Sequence, residues 1–186
     1  MSTRRGKVSE REWYRGKEYA AKRYTFMHAR FYDVSDYIGR RCPTCKREIK
    51  KCAYCGNALP ITHVMPPKQI SDFWTLYRGR FIAEEVKSST HKKVYLRGYI
   101  RPHQIHSLLT VEQNGGIGVL VFNKRVRGDN HYYVVRIKDF VEGTASEGNA
   151  IPWDVIKDIA FVTVERKKDM KGNFYADYSA FLSRIS

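Results

Sequence analysis

Asp72, Glu85 and Lys87 are the residues whose types and spacing offer a reaction. They lie in I-S-D-F-W-T-L-Y-R-G-R-F-I-A-E-E-V-K-S-S, residues 70–89. Aromatic and branched residues in 70–77 and 80–86 predict two short strands, and Arg78-Gly79-Arg80 supplies the glycine of a tight turn at 77–80. Strand side chains alternate in direction, so Glu85 and Lys87 share a face, and the hairpin brings Asp72 alongside them. Two carboxylates suit Mg²⁺ (or Mn²⁺), a hard cation that takes oxygen ligands and keeps several waters. Such an ion makes a coordinated water a better nucleophile towards phosphorus, and a neighbouring lysine orients that water or offsets charge on a phosphate oxygen. The plainer alternative is a solvent-facing strand edge carrying a Glu-Lys pair.

The second constellation is Cys42, Cys45, Cys52 and Cys55, spaced C-x2-C-x6-C-x2-C. Two C-x2-C turns each place two sulfurs on one side of a tight loop, and four thiolates complete a tetrahedral Zn²⁺ shell with no open position. A closed shell implies structure rather than catalysis. A redox pair or disulfides are the alternatives. The spacer K-R-E-I-K-K is short and basic, so the module is compact, and zinc would pin down an insertion too small for its own core.

The elements that must hold these residues are legible in part. Ser9, with Glu12 three residues on, predicts a helix N-cap after a basic arm at 1–7. Trp13, Ala20, Tyr24, Met27 and Phe31 recur as on a buried helix face, interrupted by Gly16. The other face carries Arg11, Arg15, Lys22 and Arg23, either solvated or in contact with phosphates. Glu10 falls in the expected first turn, where a carboxylate suits the helix dipole; the alternative is a third acidic group reaching the metal. Lys68 is either solvated or a phosphate contact, and the isolated His63 is structural. Pro102 predicts a helix start, with Ile105, Leu108 and Leu109 as its apolar stripe and Asn114-Gly115-Gly116 as its stop. Residues 117–123 and 131–137 read as strands around a basic turn at 124–130, and 161–166 as a further strand. Residues 141–150 read as loop, 152–160 as a helical turn, and 177–185 as a closing helix. This order predicts an α/β fold, a mixed central sheet flanked by helices.

Lys plus Arg number 34 against 19 Asp plus Glu in 186 residues, a net charge of +15. The first 60 residues alone hold 15 Lys/Arg and 6 Asp/Glu. Such a field favours a polyanion, nucleic acid first and an anionic membrane second. No apolar run reaches the length of a membrane span, and no apolar segment follows the basic N-terminus. The reading is a protein of the cytoplasm, or of a host cytoplasm if viral.

These residues together resemble the PD-(D/E)xK nucleases, and among them the Holliday-junction resolvases of the archaeal and RecU-like types. G-K-V-S-E, residues 6–10, looks like the family's Gly-x-x-x-Glu helix opening. Asp72 precedes Glu85 by 13 residues, close to the family interval, and A-E-E-V-K resembles its Glu-x-Lys strand. R-P-H-Q-I-H-S-L-L, N-G-G-I-G-V-L-V-F and H-Y-Y-V-V-R-I resemble the helix and strands that complete a restriction-endonuclease-like sheet. Gln104 falls where RecU-like sequences also have His-Gln, and Ser71-Asp72 stands in place of Pro-Asp. The resemblance implies Glu10, Asp72, Glu85 and Lys87 as catalytic residues. Asp72, Glu85 and the Val86 carbonyl would hold catalytic Mg²⁺, and Arg11, Arg15, Lys68 and Gln104 would lie on DNA. It further implies a homodimer that cuts four-way junctions to 5′-phosphate and 3′-hydroxyl ends, in recombination and repair. The domains expected are an arm and first helix at 1–31, a zinc-binding insertion at 32–66 and the nuclease core at 67–186. Two alternatives stand beside this reading: a nuclease for another DNA structure (nicking, restriction or repair), and a non-catalytic zinc-containing nucleic-acid binder.

Overall fold

The structure, a computed structural model, describes residues 4–30, 71–96, 99–126 and 129–185. The four cysteines, His63 and Lys68 lie outside the described residues. In chain order the elements are α1 (Arg4–Ala20), β1 (Met27–Arg30), β2 (Phe73–Tyr77), β3 (Arg80–Ser89), β4 (Lys93–Tyr95), α2 (Pro102–Gln113), β5 (Ile117–Val126), β6 (Asp129–Arg136), α3 (Ile137–Gly143), β7 (Ala150–Pro152), α4 (Trp153–Asp158), β8 (Val162–Lys168), β9 (Phe174–Ala176) and α5 (Tyr178–Arg184). Seven strands form one sheet in the order β1-β2-β3-β5-β6-β8-β9, and β4 pairs with β7 apart from it. Every pairing in the large sheet is antiparallel except β3 with β5, which α2 links as a crossover. The expected mixed sheet flanked by helices is therefore present.

The β2–β3 hairpin forms where the sequence places it. Arg78 and Gly79 make the two-residue turn with φ of 49° and 73°. Left-handed φ at both turn residues matches the twist of the flanking strands, and a glycine adopts it without steric cost. In the register of the hairpin Phe73 faces Glu84 and Tyr77 faces Arg80.

Each face of the sheet has its own core. On one face Trp13 of α1 packs with Phe73, Ile82, Tyr132, Tyr178 and Phe181. On the other, Leu108 of α2 packs with Leu120, Phe122, Ile137, Phe140 and Ile156. The continuous apolar run of β5 follows from this: Ile117–Asn123 is buried on both sides, as expected of a central strand between two helical layers.

The first helix departs from expectation. It begins at Arg4 and ends at Ala20, so Ser9 is interior and not an N-cap, and Glu10 is not in the first turn. Ser9 is buried and its Oγ accepts a hydrogen bond from Asn123 Nδ2 at 2.9 Å, so a tertiary partner replaces the local cap. Met27, expected on the same buried stripe, opens an edge strand and is 62% exposed. Gly16, which interrupts the apolar stripe, is required by packing: a Cβ there would be driven into the Ala176 carbonyl oxygen of β9. The expected basic turn at 124–130 is shorter, because β5 runs to Val126 and β6 starts at Asp129. Part of the expected 141–150 loop belongs to α3, and β9 was not anticipated.

Candidate active site

Asp72, the residue before β2, turns its carboxylate onto β3. Its Oδ2 accepts the Val86 backbone N–H at 2.8 Å, so the hairpin partner itself fixes the side chain. Glu85 and Lys87 lie two residues apart on β3, and Lys87 Nζ donates to Glu85 Oε1 at 2.5 Å. Glu85 is buried; the Lys87 side chain keeps 16% exposure, so it alone of the pair meets solvent. Val86 contributes its N–H here, and its side chain faces the α1 core.

Gln104, in the first turn of α2, completes the cluster. Its Nε2 also donates to Glu85 Oε1, and its Oε1 accepts the Arg101 N–H at 2.9 Å. One amide thus closes the start of the helix and holds the carboxylate. Both ends of the Gln104 amide, a residue expected on DNA, have partners within the protein, Glu85 and the backbone at the start of α2. Arg15 Nη1 donates to the Phe174 carbonyl at 2.7 Å. Arg11 is exposed on α1.

The site gathers more carboxyl groups than it has cations to match. Burial pushes the Asp72 carboxyl up to about 8; the Glu85 charge adds to the rise, Lys87 opposes it, and Glu10 adds again. Burial also pushes Glu85 up, against Lys87, and Glu10 contributes in the same direction. Glu10 is buried in α1 and electrostatically joined to the pair. Yet no three His, Cys, Asp or Glu residues among the described residues are gathered closely enough to hold a metal ion together. That arrangement still suits Mg²⁺, which is commonly held by one or two carboxylates and fills its octahedron with waters and substrate oxygens. Two destabilised, oxygen-only donors at one point are the chemistry such a cation relieves.

The geometry is braced from behind. Glu84, the neighbour of Glu85, points to the opposite face and is fully buried. Its carboxylate accepts from Trp13 Nε1 (2.6 Å), Thr75 Oγ1 (2.8 Å) and Tyr178 OH (2.9 Å), and pairs with Lys17 Nζ at 2.8 Å. This ties α1, β2, β3 and α5 together beneath the reactive rim. On the rim side, Tyr99 OH donates to the Ser88 carbonyl at 2.7 Å. Among the described residues, no helix is long and apolar enough to cross a membrane.

A comparison with curated proteins finds no match. Against protein families, residues 56–179, two thirds of the chain, match recombination protein U. The matched span holds Asp72, Glu85, Lys87 and Gln104 and leaves out Glu10. The chain belongs to the recombination protein U family, a family of Holliday-junction resolvases.

Proposed function

We propose that the protein is a divalent-metal-dependent endonuclease of the PD-(D/E)xK type that resolves four-way DNA junctions by paired phosphodiester hydrolysis. One observation carries this reading: Asp72, Glu85 and Lys87, dispersed in the chain, meet at the end of β3 with Asp72 raised to about 8. Asp72 and Glu85 would hold Mg²⁺ or Mn²⁺, with the Val86 carbonyl as a third oxygen. When bound, the ion supplies charge neutralisation at the scissile phosphate and activation of water. Lys87 Nζ, fixed by Glu85 Oε1, orients the attacking water and donates to a non-bridging phosphate oxygen. The water gives its proton to solvent and bonds to phosphorus as the bond to the 3′-oxygen breaks, and the leaving oxygen takes a proton from solvent, leaving a 5′-phosphate and a 3′-hydroxyl. Glu10 adds negative charge at the second coordination layer.

A four-way junction is two-fold symmetric, so paired cuts call for two such sites, and a C₂ homodimer supplies them. A chain of net charge +15 binds the phosphates with strong salt dependence. Cys42, Cys45, Cys52 and Cys55 would hold one structural Zn²⁺ per chain in an insertion at 32–66. Elemental analysis should find one zinc per chain; disulfides on thiol titration would remove the zinc assignment.

The deciding experiment is cleavage of a four-way junction beside a fork and a linear duplex, with and without Mg²⁺. Asp72→Asn and Lys87→Ala should bind the junction as the parent protein does and cut it at least about 10³-fold more slowly. Parent-like cutting by either variant removes the site assignment. Preferred cutting of the fork or duplex transfers the activity to another DNA structure.

A further inference from the structure

One strand across from Lys87 stands a cation that the catalytic cluster does not use. Lys87 is level with Phe122 of β5, and Ser89 is level with Lys124. Phe122 packs into the core on the α2 side of the sheet. Side chains alternate along a strand, so Lys124, two residues on, faces the same side as Phe122. That is also the side on which Glu85 and Lys87 meet Gln104 of α2. One strand spacing of about 4.8 Å and two residues at about 3.3 Å put the Lys87 and Lys124 Cα atoms about 8 Å apart. β3 and β5 are still paired at Ser89 and Lys124, so this offset is that of an unbroken sheet.

The ammonium is seated on a ring. Lys124 Nζ lies over Trp153, 5.8 Å from the ring centroid. Trp153 opens α4 and is buried, and its Nε1 donates to the His91 carbonyl at 2.8 Å. The His91 N–H donates to Ser89 Oγ at 3.1 Å, and Ser89 is the register partner of Lys124. The chain leaving the catalytic strand thus fixes the ring on which Lys124 rests. An aromatic face orients an ammonium and carries no net negative charge. Lys87 is the cation that acts on Asp72 and Glu85; Lys124 stands one row further out, half-buried.

We propose that Lys124 binds a backbone phosphate adjacent to the scissile one and fixes the register of the cut strand in the site. The inference rests on the reading of DNA as substrate and of Lys87 as a contact of the scissile phosphate. A strand whose scissile phosphate meets Lys87 and which crosses from β3 to β5 carries its next phosphate over Lys124. Contacts to unreacted phosphates set register and orientation and read no sequence, as an enzyme that selects DNA by shape requires. A lysine already ordered on a ring loses less freedom when the phosphate arrives. The competing role is purely structural: Lys124 would shield Trp153 and have no bearing on DNA.

The test uses the full chain and four-way junctions that each carry one neutral methylphosphonate linkage, stepped through the nucleotides on both sides of the cut. Affinity is read without divalent metal, so that nothing is cut, and cutting is read with Mg²⁺. In the parent protein, one linkage beside the cut should weaken binding about tenfold and slow cutting. Lys124→Met should weaken binding of the unmodified junction by a similar factor and lower the slope of log affinity against log salt by about one. At the sensitive linkage the two losses should not add, so that Lys124→Met binds modified and unmodified junctions alike. Lys124→Arg, which keeps the charge, should retain the parent's sensitivity. Thermal melts identify a variant that fails to fold, and Lys124→Gln is then the neutral replacement. Losses that add at every linkage, or a parent-like affinity and salt slope in Lys124→Met, overturn the phosphate contact and leave the active site standing. A parent that binds junctions but is indifferent to every flanking linkage does the same. A lower melting temperature for Lys124→Met with an unchanged salt slope assigns Lys124 to Trp153 alone and also overturns the contact. Failure of the parent to bind DNA of any shape overturns the reading of DNA as substrate first.

Discussion

Glu84 and Glu85 are adjacent in β3 and have opposite fates. Glu84 has four donors on its carboxylate, among them a fully buried lysine, and sits between α1, β2 and α5. Glu85 has Lys87 and Gln104 on a single oxygen, faces the charge of Glu10 and itself raises Asp72. The same side chain, moved by one residue to the other face of the sheet, changes from a satisfied brace to a destabilised carboxyl. The two faces differ in kind: one fixes the strand, and the other crowds carboxyl groups around one lysine.

Breaking the brace should have the largest effect. Lys17 is fully buried, and burial pulls its pKa down against the opposing pull of Glu84. Lys17→Met leaves Glu84 charged and buried with neutral donors only. Removing one partner of such a pair costs about 3–5 kcal/mol, read as the midpoint of urea unfolding. The paired replacement Lys17→Met with Glu84→Leu should recover most of that loss, because no buried charge remains. Failure of the double variant to recover would mean that the donors of Glu84, not its charge, hold the brace.

This contrast also marks what the sequence could disclose. The alternation of β3, the turn at Arg78-Gly79 and the spacing of Asp72 from Glu85 are local features, and they suffice to bring Asp72, Glu85 and Lys87 to one place. The long apolar run of β5 and the proline and glycines bounding α2 are equally local. Which of two adjacent glutamates is sealed is not local: it depends on Trp13, Lys17 and Tyr178, at both ends of the chain. The extent of α1 was misread for the same reason. Its apolar spacing continues by chance through Met27, whereas the turn after Ala20 and the pairing of Met27 with Leu76 are set by the sheet. The inward aim of Gln104 depends on how α2 docks, which no spacing records.

On the reactive side the sign should reverse. Asp72 is raised from 3.8 to about 8, so between those values the folded protein retains a proton that the unfolded chain has released. Stability of the metal-free protein should therefore be greatest at acid pH within that window and fall as pH rises to about 8. Mg²⁺ should remove most of the fall. Asp72→Asn keeps an acceptor for the Val86 N–H and deletes the charge. It should stabilise the metal-free protein by about 1–2 kcal/mol at pH 8 and abolish the response to Mg²⁺. Thermal melts at pH 5 and pH 8, with and without metal, give all four values. A variant less stable than its parent at pH 8 would show that the Asp72 charge is a structural asset, like that of Glu84.

The smallest effect belongs to the residue that links helix to site. Gln104 accepts the Arg101 N–H and donates to Glu85, so two substitutions separate its duties. Gln104→Glu keeps the acceptor at the helix start and puts a like charge against Glu85. Gln104→Leu loses both bonds and adds no charge. Residues that orient a metal ligand alter metal affinity by about 10–100-fold. Gln104→Leu should weaken Mg²⁺ binding about tenfold, about 1.4 kcal/mol, measured by calorimetry, with a small loss of stability. Gln104→Glu should lower metal-free stability at pH 8 relative to pH 5 more than Gln104→Leu does, because a further carboxylate joins a cluster already short of cations. Equal pH responses in the two variants would place Gln104 with the helix cap alone and leave the orienting of Glu85 to Lys87 among the described residues.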